Sequence, residues 1–230
     1  MGLGKLLHGH HEHADGGGTI DRPRAYEVFA SIAYLGGRRT AFTRLAAAAR
    51  PRAGDRVLDV GCGTGYLSRI LSPVVTPSGH VTGLDLSPAM IDHATRRAPA
   101  NCAYVVGEAQ DLPFPDGSFD LVTSSLAIHH IPREARAEAL RQMFRVLRPG
   151  GRLLVAEFRP PANHLARHLI GLLSGPAMRH DPRDLLGSMI PDAGFQVESE
   201  GELPHLLYYV RAITPAPGRP AERDRPPRTG

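Results

Sequence analysis

The sequence predicts an α/β protein: a single domain on a doubly wound, mostly parallel seven-stranded sheet with helices on both faces. Three observations carry this expectation. Short apolar segments over 57–60, 80–84, 103–106, 121–124 and 153–157 have strand composition, and they alternate with helical stretches over 65–71, 88–97 and 133–147. Strands alternating with helices imply crossover connections, which set neighbouring strands parallel. A glycine-rich turn, Gly61-Cys62-Gly63-Thr64-Gly65, joins the first of these strands to its helix. In doubly wound sheets that first turn is where nucleotide-like ligands bind.

Taken in chain order, residues 1–20 form a polar leader containing His8, His10, His11 and His13 ahead of Gly16-Gly17-Gly18. Imidazole is a good metal ligand, but the tract has no core beneath it and reads as a disordered, adventitious metal-binder, so no built metal site is expected. The domain is read as 21–214, and 215–230 as a tail rich in proline and arginine. Leader and tail both have the composition of disordered chain. Residues 24–50 read as two helices, with Tyr26, Phe29, Ala30 and Ala33 at helical spacing and a break at Gly36-Gly37. The second covers 40–49 and ends before Pro51 and Gly54.

Ser87-Pro88 is an N-cap followed by proline at the first helical position. Pro132 opens the last long helix and Arg148-Pro149-Gly150-Gly151 stops it. Its spacing turns Glu134, Arg136, Glu138 and Arg141 outward and Ala135, Ala139, Leu140, Met143 and Val146 toward the sheet. Beyond the fifth strand the pattern gives an amphipathic helix over 163–174, a short helix over 181–190, and strands over 195–200 and 206–213 separated by Pro204.

Composition narrows the class. No apolar run approaches the roughly 20 residues that span a bilayer, and the first 15 residues carry no signal-peptide pattern. A cytoplasmic protein is the expectation. The formal charge is +4, but +3 of it lies from Arg211 onward. A near-neutral domain without interleaved aromatics makes nucleic acid an unlikely partner. Cys62 and Cys102 are too far apart for a zinc knuckle or a Cys-x-x-Cys redox pair, and read as small packing residues.

The glycine loop specifies its ligand by spacing. Dinucleotide loops use Gly-x-Gly-x-x-Gly to seat a pyrophosphate, whereas this chain has Gly61-x-Gly63-x-Gly65 preceded by Asp59. A carboxylate there repels a pyrophosphate and suits a cationic amino group. Asp85, about 20 residues on at the end of the second strand, stands where a ribose is held by a carboxylate. The expected ligand carries a ribose and a positive group but no phosphate, which is the description of S-adenosylmethionine.

From Asp55 to Phe158 the chain resembles the class I S-adenosylmethionine-dependent methyltransferases. The blocks that carry the likeness are the glycine loop, Gly83-Leu84-Asp85-Leu86-Ser87, Asp111-Leu112-Pro113-Phe114-Pro115-Asp116-Gly117-Ser118-Phe119-Asp120, and Arg145-Val146-Leu147-Arg148-Pro149-Gly150-Gly151. Within that superfamily it is similar to the ubiquinone/menaquinone-biosynthesis C-methyltransferases, including Leu153-Leu154-Val155-Ala156-Glu157-Phe158. The resemblance implies S-adenosylmethionine as cofactor. Asp59, Gly61, Gly63, Thr64 and Gly65 would hold its methionine end, Asp85 its ribose and Leu86 its adenine. Glu108 would accept from the adenine amino group, the Ala109 N–H would meet the ring, and Ser125 would lie near the sulfonium. One segment departs from the pattern: Ala127-Ile128-His129-His130 stands where quinone methyltransferases usually have an Arg-Asn pair.

Methyl transfer needs alignment above all, and a phenol or enol acceptor also needs a base titrating near the working pH. His129 and His130, just past the fourth strand, are the candidates for that base. Glu157, ending the fifth strand on the same rim, is the candidate for orienting the substrate. Tyr26, His180 and Asp181 are weaker candidates for the substrate side. The expected acceptor is a small, lipophilic or aromatic molecule. An RNA or protein methyltransferase and a non-catalytic S-adenosylmethionine-binding module are the alternatives.

Overall fold

The computed structural model describes residues 22–34, 36–159 and 182–216. Two helices come first, α1 (Pro23–Ala33) and α2 (Arg38–Ala48), then β1 (Arg56–Val60), α3 (Tyr66–Val75), β2 (His80–Asp85), α4 (Pro88–Thr95), β3 (Cys102–Val106) and β4 (Phe119–Ser125). α5 (Arg136–Val146), β5 (Leu147–Phe158), α6 (Pro182–Asp192), β6 (Gln196–Leu203) and β7 (Leu207–Ile213) complete the order. The seven strands form one sheet in the order β3-β2-β1-β4-β5-β7-β6. The pairs from β3 to β5 are parallel, and β7 runs antiparallel to both β5 and β6. The doubly wound sheet expected from the sequence is the one observed. Strand order reverses direction at β1, which places a crevice beyond its carboxyl end.

Successive strand residues are buried on opposite faces, as a sheet covered on both sides requires. Leu58, Val122 and Leu153 pack with Leu140, Met143 and Val146 of α5 and with Leu186 and Ile190 of α6. Val57, Leu121 and Leu154 pack on the other face with Leu45 of α2 and Leu67 and Leu71 of α3. Local signals act as expected at α4, where Pro88 is preceded by Ser87, whose hydroxyl accepts from the Met90 N–H at 3.3 Å.

Three expectations change. Arg148-Pro149-Gly150-Gly151 does not form a free stop: α5 ends at Val146 and β5 starts at once with Leu147, which pairs with Phe119 before the register shifts to Leu121 and Arg152. The helix also starts later, a short 3-10 turn over Arg133–Ala135 preceding it. Arg136 is half-buried, not outward, because its guanidinium turns back to donate to the carbonyls of Ile131 at 2.9 Å and His129 at 3.1 Å. The helix expected over 163–174, the leader over 1–20 and most of the tail lie outside the described residues. Among the described residues no helix is long and apolar enough to cross a membrane.

Candidate cofactor and active site

β1 leads into a loop in which Gly61, Gly63 and Gly65 adopt φ of +70°, +52° and +74°, a region that L side chains occupy only with strain. The N–H groups of Gly61 and Cys62 donate to the Leu84 carbonyl at 2.8 and 3.0 Å, pinning the loop over the end of β2. A Cβ on Gly61 would stand 2.3 Å from that of Ala127, and one on Gly65 would stand 2.5 Å from the Tyr104 hydroxyl. A Cβ on Gly63 would meet nothing within 4 Å. The loop is therefore packed on two sides and bare at its tip, the shape of a cradle open to a ligand.

Asp85 ties the tip to the second strand. Its carboxylate accepts from the Gly63 N–H at 2.8 Å and the Ser87 N–H at 2.9 Å. Next to it Leu86 is 51% exposed, a bare apolar face beside a carboxylate. Past β3, Glu108 is exposed and accepts from the Gln110 side chain, while Ala109 packs half-buried against the core. At the end of β4 the Ser125 hydroxyl is buried without a hydrogen-bond partner among the described residues. An apolar platform, carboxylates and few basic groups around a glycine cradle fit an adenosyl cation.

Asp59 and Thr64 sit differently from the expectation. Asp59 is only 1% exposed, and its two oxygens accept from the Ser68 hydroxyl at 2.6 Å and the Thr123 hydroxyl at 2.9 Å. It braces β1 against α3 and β4 from beneath the loop and does not present itself to a ligand amino group. Burial pushes its carboxyl up to about 6, against the two hydroxyl donors, which lower it. Thr64 is likewise 1% exposed, and its hydroxyl is taken up by Glu27 of α1. Its carbonyl accepts from the Arg69 guanidinium at 2.6 Å.

Across the crevice, the parallel register sets Ser125 of β4 against Ala156 of β5, so the residues just past both strands share one rim. There His129 Nδ1 lies 2.6 Å from Glu157 Oε2, and Glu157 Oε1 accepts from the Ile128 N–H at 2.8 Å. Glu157 is 4% exposed. Burial alone would lower the His129 pKa, but the Glu157 carboxylate outweighs it and holds the imidazole above its ordinary 6.5. The His130 ring stacks on His129 with centroids 4.1 Å apart. Arg136 fixes the segment by its bond to the His129 carbonyl. Nδ1 is thus the ring nitrogen committed to Glu157.

Sequence reasoning missed Glu27 and Arg38. Glu27 takes the Thr64 hydroxyl on one oxygen and Arg38 Nη1 at 2.7 Å on the other. No local pattern announces a contact between a helix residue and a loop residue 37 positions away. Tyr26, expected on the substrate side, is half-buried beside Arg38, whose guanidinium lies 5.7 Å from its ring centroid. His180 and Asp181 lie outside the described residues.

Comparison with known proteins finds methyltransferases. Residues 57–151 match the family described as a methyltransferase domain. The ubiquinone/menaquinone biosynthesis C-methyltransferase UbiE of Ectopseudomonas mendocina is 34% identical over 172 residues, covering 63% of this chain and 66% of that one. UbiE of Pseudomonas fluorescens is 42% identical over 119 residues, covering 50% of this chain and 46% of that one. The chain thus spans between about half and two thirds of the length of these curated relatives. The crystal structure of a SAM-dependent methyltransferase from Aquifex aeolicus superposes with a TM-score of 0.69 at 20% identity, covering 84% of this chain and 98% of that one, and shows the common fold. Over residues 57–151 the chain is similar to the methyltransferase-domain family, over the stretches just given it is similar to the UbiE C-methyltransferases, and its fold is that of the Aquifex aeolicus structure.

Proposed function

We propose that this protein transfers a methyl group from S-adenosylmethionine to a small, lipophilic or aromatic acceptor carrying an acidic O–H or C–H, with His129 as base and Glu157 as its orienting partner. The observation that carries this reading is the 2.6 Å His129–Glu157 pair standing at the carboxyl ends of β4 and β5, on the rim that the glycine cradle opens toward. The UbiE relatives favour carbon as the methylated atom of a quinone-related ring.

Bound S-adenosylmethionine would supply an electrophilic methyl group. The residues of this chain supply its seat and the proton path. The open space at Gly63 would take the methionine end, Asp85 would take the ribose, and exposed Leu86 would pack on adenine. Glu108 would accept from the adenine amino group and the Ala109 N–H would meet the ring. Ser125, whose buried hydroxyl has no hydrogen-bond partner among the described residues, would lie near the sulfonium. As the acceptor gains its methyl group, its proton passes to His129 Nε2, and Glu157 stabilises the imidazolium through Nδ1. Because Glu157 holds the His129 pKa above 6.5, the imidazole must lose its resting proton first. Activity therefore rises with pH through that titration.

Calorimetric titration with S-adenosylmethionine tests the donor half: the wild type should bind, and Asp85→Ala should weaken binding by about tenfold or more. A wild type that shows no binding removes the reading. The acceptor half is tested by mass spectrometry for metabolites that gain about 14 mass units, one CH₂, with the active protein. His129→Ala should keep donor binding and lose that product.

A further inference from the structure

Three carboxylates surround the glycine loop, and their environments differ. Asp59 is sealed beneath it, with each oxygen on a buried hydroxyl. Asp85 is committed to the Gly63 and Ser87 N–H groups on the ribose side of the loop. Glu27 comes from outside the sheet, on α1, and touches the loop through Thr64. Its side chain keeps 28% exposure, whereas Arg38 beside it keeps 7%. The Arg38 guanidinium lies 3.8 Å from the centroid of Tyr66, the first residue of α3, and 5.7 Å from those of Tyr26 and Phe42. Ring stacking on several sides fixes the guanidinium, and its 2.7 Å ion pair fixes Glu27 in turn.

The donor's methionine end presents an ammonium and a carboxylate. Backbone N–H groups of a loop that opens a helix suit the carboxylate. The ammonium needs acceptors; carbonyls of the loop can serve as such, and a carboxylate beside the loop adds the opposite charge. We infer that Glu27, and not Asp59, is the carboxylate that receives the α-ammonium of the methyl donor, with Arg38 as the positioning residue that holds it. The inference rests on the donor reading proposed above. Although burial works to raise the Glu27 pKa, the Thr64 hydroxyl and Arg38 together outweigh it and keep the group ionised at neutral pH, as a counter-charge must be. The arrangement also makes α1 part of the donor site and ties the two N-terminal helices to the loop they overhang.

Binding of truncated donors tests this without turnover. Wild type and Glu27→Gln are titrated calorimetrically with S-adenosylmethionine, with its decarboxylated analogue, which keeps the ammonium, and with 5′-methylthioadenosine, which lacks the amino-acid end. Glu27→Gln should weaken the first two by about tenfold or more and leave methylthioadenosine within about twofold. Equal weakening of all three would mean that Glu27 acts only on loop shape through Thr64, and unchanged binding of all three would mean that it does not meet the ammonium; either overturns the inference. Should Glu27→Gln fail to fold, Glu27→Asp, which withdraws the carboxylate by one methylene, should give the same contrast at smaller amplitude. A wild type that binds methylthioadenosine but not S-adenosylmethionine defeats the donor reading itself, a result distinct from those two.

Discussion

Replacing Asp59 by Asn removes a negative charge from beneath the glycine loop and keeps the shape of the side chain. The wild-type carboxyl is 1% exposed and is pushed up by burial, with a smaller contribution from Asp85, from an ordinary 3.8 to about 6. A carboxyl whose pKa is higher in the folded protein than in the unfolded chain is favoured in its protonated form by folding. Its stabilising contribution is complete below pH 3.8 and is lost as pH rises through about 6. A shift of roughly two units, at 1.36 kcal/mol each, is worth about 3 kcal/mol. The amide of the Asp59→Asn variant does not titrate, and all other titrating groups are common to the two proteins. The stability of wild type relative to Asp59→Asn should therefore fall by about 2 kcal/mol between pH 4 and pH 7, most of that total. Urea denaturation of both proteins across that range measures the difference directly. A difference that stays flat, or one that grows with pH, would show that the Ser68 and Thr123 hydroxyls overcome burial and that Asp59 is an ordinary ionised brace.

Two further outcomes follow from the same geometry. Gly61→Ala forces a Cβ to within 2.3 Å of the Ala127 Cβ at φ +70°, and should cost about 2 kcal/mol or more in urea denaturation. Gly63→Ala, at φ +52° with open space around it, should cost only about 1 kcal/mol yet still weaken donor binding; similar stabilities for the two would refute the packing argument. Glu157→Gln removes the influence that raises the His129 pKa and leaves the burial that lowers it. The His129 titration followed by NMR, and the acid limb of the pH–rate profile, should both move to lower pH, and an unmoved titration would separate the two residues.

The parts of this protein legible in its sequence are those fixed by backbone needs. Positive φ at three alternate positions demands Gly61, Gly63 and Gly65, and a helix start demands Ser87-Pro88; both signals are local. The seven strands were legible because apolar runs buried on two faces differ sharply from the amphipathic helices between them. The inward turn of Asp59 was not legible, because its partners Ser68 and Thr123 come from two other elements. A carboxylate facing solvent and one sealed under a loop look alike in sequence. Arg136 departs from its expected place for the same reason: helical spacing gives an outward position, and a long side chain can still fold back onto the carbonyls of His129 and Ile131 at the end of the 3-10 turn over Ile128–His130.

The same distinction separates the two halves of the site. Donor-binding geometry follows from β1, β2 and the turns after them, where backbone groups and glycines set the shape. The proton handling proposed above instead hangs on side chains that the β4–β5 register brings together, Ser125 opposite Ala156 and His129 against Glu157. That register needs nothing of the side chains beyond β4. Ala127-Ile128-His129-His130 can therefore replace the Arg-Asn pair usual in quinone methyltransferases with no change of fold. The replacement is not chemically neutral. An arginine stays charged at any pH the protein meets, whereas His129 gains and loses a proton within that range. Glu157, buried and bonded to the Ile128 N–H, is placed to stabilise the charged form. The proposed function follows from that difference: with His129 as base beside the donor cradle, the acceptors we propose are those that give up a proton as they are methylated.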